Sequence, residues 1–259
     1  MKVSIVILFL SLAIAGWTQT ANQPQFDIKD FSEKAQVAEW LCEYDRIAWV
    51  TSDSVMAQDK SEIARLGNEW FCFKRHDTWH AVYGKFENNT YDIVFHYEVK
   101  DGKISRSDQA VDTTLLNTYS RALQTSGQQI KALRDSINLR FNQYIRKNED
   151  NSLSVWLMPA FQPNSVALYG GEFVYRLDPT GRRVLADESY FRKQFRGFKV
   201  DNPREIWLDY TEREKPTLGA VFFAWYYKPY FTKIVINTSK STSSPFKSDS
   251  GWTWIHHEK

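Results

Sequence analysis

The sequence predicts an α+β fold: an N-terminal helix, an antiparallel meander and a long helix, followed by a mixed sheet carrying one aromatic-rich helix. Three observations predict it. Apolar residues recur at three- and four-residue spacing over 31–60 and again over 112–147, which is the helical period. Short runs of aromatic and β-branched residues, separated by turn signals, fill 69–107 and much of 152–256. Seven of the nineteen residues from Leu218 to Ile236 are Phe, Trp or Tyr, and so large an apolar payload belongs in a core, an interface or a ligand groove.

The chain opens MKVSIVILFLSLAIAG: one lysine, an apolar run from Val3 to Ile14, then the small-residue triplet Ala13-Ile14-Ala15. That is the pattern of a secretory signal peptide. Residues 1–20 are expected to be cleaved and the mature chain to be secreted or periplasmic, with no membrane span. The aromatic run is no span either, since Lys228 and Pro229 interrupt it after about ten apolar residues where roughly 20 are needed.

In the first helix Val37, Leu41, Tyr44 and Ala48 form the apolar face, with Asp30 or Ser32 as N-cap. Four strands are predicted at 69–75, 79–86, 91–98 and 103–107. The turns between them are Asp77-Thr78, Asn88-Asn89 and Asp101-Gly102, the last being the strongest hairpin cue. Asp112 then caps a long helix to about Lys147, unless Gly127 breaks it, whose stripe runs Leu116, Tyr119, Leu123, Ile130, Leu133, Ile137, Phe141, Ile145. The polar run 147–151 marks a boundary between a helix–meander–helix unit (21–148) and a C-terminal mixed-sheet unit (149–259), unless the two share one core. Further strands are expected at 152–158, 167–177, 182–187, 205–210, 232–237 and 251–256. Between the fourth and fifth of these, Leu218, Val221, Phe222, Trp225 and Tyr226 fit a helix better than a buried strand, with Pro216 just upstream.

Lys+Arg number 33 against 31 Asp+Glu, so no basic excess drives binding to nucleic acid. Cys42 and Cys72 are a disulfide candidate after export; a bridge would close a loop of about 30 residues and add roughly 3 kcal/mol. The alternative is two separate buried thiols. Asn88-Asn89-Thr90 and Asn237-Thr238-Ser239 are N-glycosylation sequons.

His76 and His80 have the spacing of a zinc-binding helix pair, but their flanks are strand-like, which reads them as surface hairpin residues, with a metal site across the hairpin as the alternative. Gly170-Gly171-Glu172-Phe173 spells part of the signature of diguanylate cyclases. The extra turn acid of that signature is missing, so the glycines are expected to make a bend or bulge in a strand. Trp252 and Trp254 alternate along a strand and are candidates for stacking on sugar rings, beside His256 and His257. No Ser-His-Asp set, G-x-S-x-G elbow or catalytic cysteine signature is readable, and acid pairs such as Asp187-Glu188 or Glu212-Glu214 are ordinary charged loops.

A strand ending Asp209-Tyr210-Thr211, then Pro216-Thr217-Leu218-Gly219-Ala220 opening an apolar segment, then Lys233-Ile234-Val235-Ile236 resembles the core of JAB/MPN-type metallopeptidases. The resemblance covers 166–255. It implies a zinc held by His-x-His and Ser-x-x-Asp, yet Asp209 and Thr211 stand where the histidines belong, and Thr217 and Ala220 where the serine and aspartate belong. Glu172 takes the place of the family's acid. The resemblance thus implies a peptidase-like fold without the metal ligands.

These readings predict an exported, non-catalytic structural or interaction module with no cofactor and no catalytic residues. Its partner would be a protein or a glycan. A metal-dependent hydrolase using His76, His80, His96 or the terminal histidines, and a carbohydrate-binding module using Trp252 or Trp254, are the alternatives.

Overall fold

The computed structural model describes residues 26–259; the expected signal peptide lies outside them. Helix α1 (Ile28–Met56) starts at Asp27, whose side chain accepts from the Asp30 amide. A short α2 (Lys60–Ile63) leads into the antiparallel meander β1 (Glu69–Arg75), β2 (Thr78–Glu87), β3 (Thr90–Lys100), β4 (Lys103–Arg106). Both faces of the meander are covered. Cys72, Trp79, Ala81, Tyr83, Phe95 and Tyr97 point into the core that holds α1. Phe71, Phe73, Val82 and Tyr91 point into a second core. This is the two-residue pleat of a strand read directly from burial.

The predicted long helix is shorter than expected. Helix α3 (Thr113–Gln129), capped by Asp112, ends at Gln129; α4 (Lys131–Ser136) follows, and the chain then turns extended at Ile137. The rest of the stripe becomes β5 (Phe141–Lys147). The reason is arithmetic. Leu133, Ile137, Phe141 and Ile145 are four apart, and four is both one helical turn and two strand repeats, so the spacing cannot separate the two periods.

β5 pairs antiparallel with β6 (Leu153–Pro159), from Phe141 opposite Pro159 to Lys147 opposite Leu153. The polar run therefore lies in a hairpin whose turn is 148–152, with Asn151 at φ +64°, and the 148/149 division falls between paired strands. Both cores draw on residues from either side of it. β6 continues to β7 (Val166–Leu177), which pairs with both β8 (Val184–Asp187) and β9 (Tyr190–Lys199). Gly170, at φ +108°, sits at a register shift between β7 and β9. That is the expected glycine bulge, and it leaves Glu172 buried.

The last sheet is mixed. β10 (Glu205–Tyr210) and β11 (Lys233–Thr238) are parallel, connected through α5 (Leu218–Tyr227), and β12 (Ser241–Ser248) and β13 (Gly251–Glu258) add antiparallel strands. The aromatic run is thus the helix predicted for it, capped by the Thr217 hydroxyl accepting from the Ala220 amide. It buries Val221, Phe222, Phe223 and Tyr227 against α1 and the sheets. No described helix is long and apolar enough to cross a membrane.

Candidate functional site

Helix α1 carries an aspartate on its buried side. Asp45 follows Tyr44 and lies one turn from Leu41, both fully buried, and is itself only 3% exposed. A carboxylate in such a place needs donors, and three side chains from two elements supply them. Asn142 Nδ2 donates at 2.9 Å and Tyr144 at 2.9 Å, both from β5, while Tyr226 of α5 donates at 2.6 Å. Burial still raises the Asp45 pKa above the ordinary aspartate range, with the Tyr226, Tyr144 and Asn142 hydrogen bonds opposing it.

Beside this network opens a cleft of about 680 Å³ between α1, β1, the start of β5 and α5. Its walls are mostly aromatic: Trp49, Trp70, Tyr83, Phe161, Phe222, Tyr226 and Tyr227. Trp49 is 57% exposed and Phe161 39%, so two large rings stand at the mouth. Ser52, Glu69, Arg134, Arg140 and Asn142 supply polar groups along the same walls. A concave apolar site with a few converging polar groups is the usual form of a small-ligand site.

The histidines sort differently from their spacing. His76 lies in the β1–β2 turn, exposed and at φ +52°, whereas His80 is buried on β2. They are not brought together. His80 meets His96 of β3 instead, with Nδ1 and Nε2 3.0 Å apart, and Glu98 lies opposite His80 across the strand pair. Burial holds both rings below the ordinary histidine range. His96 and Arg75 add to that shift for His80, Arg75 adds to it for His96, and Glu98 opposes both.

A β-bulge makes this meeting possible. From the Asn88-Asn89 turn, Glu87 pairs with Thr90 and the register runs regularly to Gly84 opposite Ile93; then Tyr83 pairs with Phe95, leaving Val94 over. Continued without the bulge, His80 would oppose Tyr97 and His96 would face the other way. Gly84 permits the close approach, since a Cβ there would meet the Asp92 carbonyl oxygen at 2.1 Å.

Trp252 and Trp254 are engaged with their own protein. Trp254 stacks on Trp225 at 5.5 Å and meets Phe31 edge-on, and Lys228 sits over Trp225 at 3.7 Å and Trp252 at 5.6 Å. Trp252 remains 37% exposed. His256 stacks on Phe26 at 4.3 Å and hydrogen-bonds Ser243. Cys42 and Cys72 are free thiols. Cys42 is half-buried on α1, where it feels the Lys228 charge, while Cys72 is buried on β1 with its amide donating to the Tyr44 hydroxyl.

Glu172 forms a further buried cluster with Thr217 and Tyr210. Burial pushes its pKa up to about 7, opposed by the nearby Gly219 amide, the Thr217 hydroxyl and the charges of Lys34 and Arg213. Glu172 Oε2 and the Tyr210 hydroxyl have no hydrogen-bond partner among the described residues. Asp209, at the end of β10, accepts from Asn237.

Sequence reasoning missed Asp45, Asn142, Tyr144, Tyr226 and Glu98. The available signals were an acid four residues after Leu41 on an apolar helical face, and an acid two residues after His96 on one strand face. No protein-family model, curated protein or solved structure matches the chain.

Proposed function

We propose that the chain is an exported, non-catalytic interaction module whose working surface is the aromatic cleft beside Asp45, and that the cleft takes a carbohydrate. The export reading rests on the apolar N-terminal pattern of the sequence. The carrying observation is the pairing of exposed rings, Trp49 and Phe161, with polar groups deeper along the same walls. Flat apolar ring faces suit the C–H faces of a sugar, and Arg140, Asn142, Glu69 and Ser52 suit its hydroxyls. The Asp45 network holds α1, β5 and α5 together at the base, so the site is largely formed before a ligand arrives.

This reading moves the sugar-stacking role from Trp252 and Trp254 to Trp49 and Phe161. A glycan array followed by calorimetry on the purified protein tests it. Binding that Trp49→Ala weakens at least about ten-fold, with Trp252→Ala unchanged, is the expected result. An array without signal, or equal loss from Trp252→Ala, overturns it.

A further inference from the structure

The meander holds one set of side chains that the cleft does not use. His80, His96 and Glu98 each offer one ligand atom, and the three atoms lie within 4.8 Å of one another. His80 Nδ1 is 3.0 Å from His96 Nε2 and 3.9 Å from Glu98 Oε1. Two atoms each ~2.0–2.1 Å from one zinc ion stand ~3.3 Å apart across a tetrahedral angle, so the nitrogen pair is close to the spacing a shared ion imposes.

The surroundings are those of a held site. The two imidazoles are 4% and 5% exposed, and Phe73 stacks flat on His80, 5.0 Å between centroids and 9° between planes, which fixes that ring. Ser107 donates to Glu98 Oε1 at 2.6 Å and so orients the carboxylate, as outer partners of metal ligands do. His96 Nδ1 is buried without a hydrogen-bond partner among the described residues. The Gln109 backbone faces this ring and stands where an outer partner of a metal-bound imidazole would orient it. The Glu98 side chain is 23% exposed and gives the cluster its access to solvent.

We propose that His80, His96 and Glu98 bind one divalent transition-metal ion, zinc by the chemistry of the ligands. Two imidazoles and one carboxylate make a borderline donor set that suits zinc and its neighbours rather than calcium or magnesium. Three protein ligands leave a coordination position for water or another small ligand. The ion would tie β2 and β3 together next to the bulge that brings the two histidines to one face. Without metal, the same pair is simply a cross-strand histidine hydrogen bond, and that is the competing account.

The test is calorimetric titration of chelator-treated protein with zinc, alongside cobalt as a visible-absorption probe of imidazole coordination. One equivalent of tight binding is expected in the wild type, retained in His76→Ala and His257→Ala and lost in His80→Gln/His96→Gln. Should the double variant fail to fold, Glu98→Gln replaces it, because it keeps an acceptor for Ser107. It is expected to lose more than the roughly ten-fold that even an outer partner costs. Absence of one-equivalent binding to the wild type leaves only the hydrogen-bonded pair and overturns the proposal. So does affinity that survives in a folded double variant or in Glu98→Gln.

Discussion

Tyr226 donates a 2.6 Å hydrogen bond to Asp45 from 181 residues further along the chain, joining the aromatic helix α5 to the N-terminal helix α1. The bond fixes the base of the cleft and carries its energetic consequence at a single atom. Removing the Tyr226 hydroxyl leaves a buried carboxylate short of one donor. Tyr226→Phe is expected to lower stability by about 1–3 kcal/mol, measured by urea unfolding. An unchanged midpoint would show that the carboxylate is already satisfied by Asn142 and Tyr144.

Trp49 is exposed at the mouth of the cleft. Trp49→Ala is expected to change stability by no more than about 0.5 kcal/mol while removing ligand-induced quenching of tryptophan emission. A fall in stability larger than that would mark Trp49 as a packing residue.

Glu172 gives the protein a pH dependence of predictable sign. Its folded pKa is raised from 4.5 to about 7, so between those values the folded state holds a proton that the unfolded state has released. The stability it contributes is full below about pH 4.5 and falls by roughly 3 kcal/mol as pH rises to 7. Lys34 from α1 and Arg213 from the loop after β10 face it and moderate the shift, and Asp30, Glu33 and Glu188 line the adjoining cleft. Glu172→Gln is expected to flatten that limb and to be the more stable form at pH 8. Parallel urea-unfolding profiles for the two proteins across this range would contradict the assignment.

Gly219 sits against that carboxyl group. A Cβ there would meet Glu172 Oε2 at 2.3 Å and its Cδ at 2.7 Å, so Gly219→Ala is expected to cost about 1–3 kcal/mol through overpacking, despite alanine's better helix propensity. Thermal unfolding reads it. In combination with Glu172→Ala most of that cost should vanish.

Cys42 and Cys72 make a chemical prediction. Burial raises both thiol pKa values, Cys72 most deeply, and thiolate is the reactive form. A thiol reagent should label neither site quickly in the native protein and both in denaturant. Fast labelling of Cys72 without denaturant would show that β1 opens from α1.

Much of the architecture was legible. The α1 face, two of the three meander turns and the glycine bulge in β7 followed from periodicity and turn chemistry, which also favoured the helix at 218–227; the first turn falls at His76-Asp77, one residue before the expected Asp77-Thr78. The 112–147 helix did not, because a spacing of four satisfies both periods and only pairing with β6 makes 141–147 a strand. The hairpin of 148–152 then took the place of the expected boundary.

The site residues divide along the same line. Chain order alone predicted an α+β protein and an aromatic segment packed inside, favouring a helix there over a buried strand that only the tertiary structure excluded. Tertiary structure alone decided which groups meet: one leftover residue at Val94 turns His96 and Glu98 to the face of His80, and the packing of α5 on α1 brings Tyr226 to Asp45. The physical reason is that local propensity is set by neighbours in the chain. A hydrogen bond or a shared ion is set by the register and packing of strands and helices far apart in it.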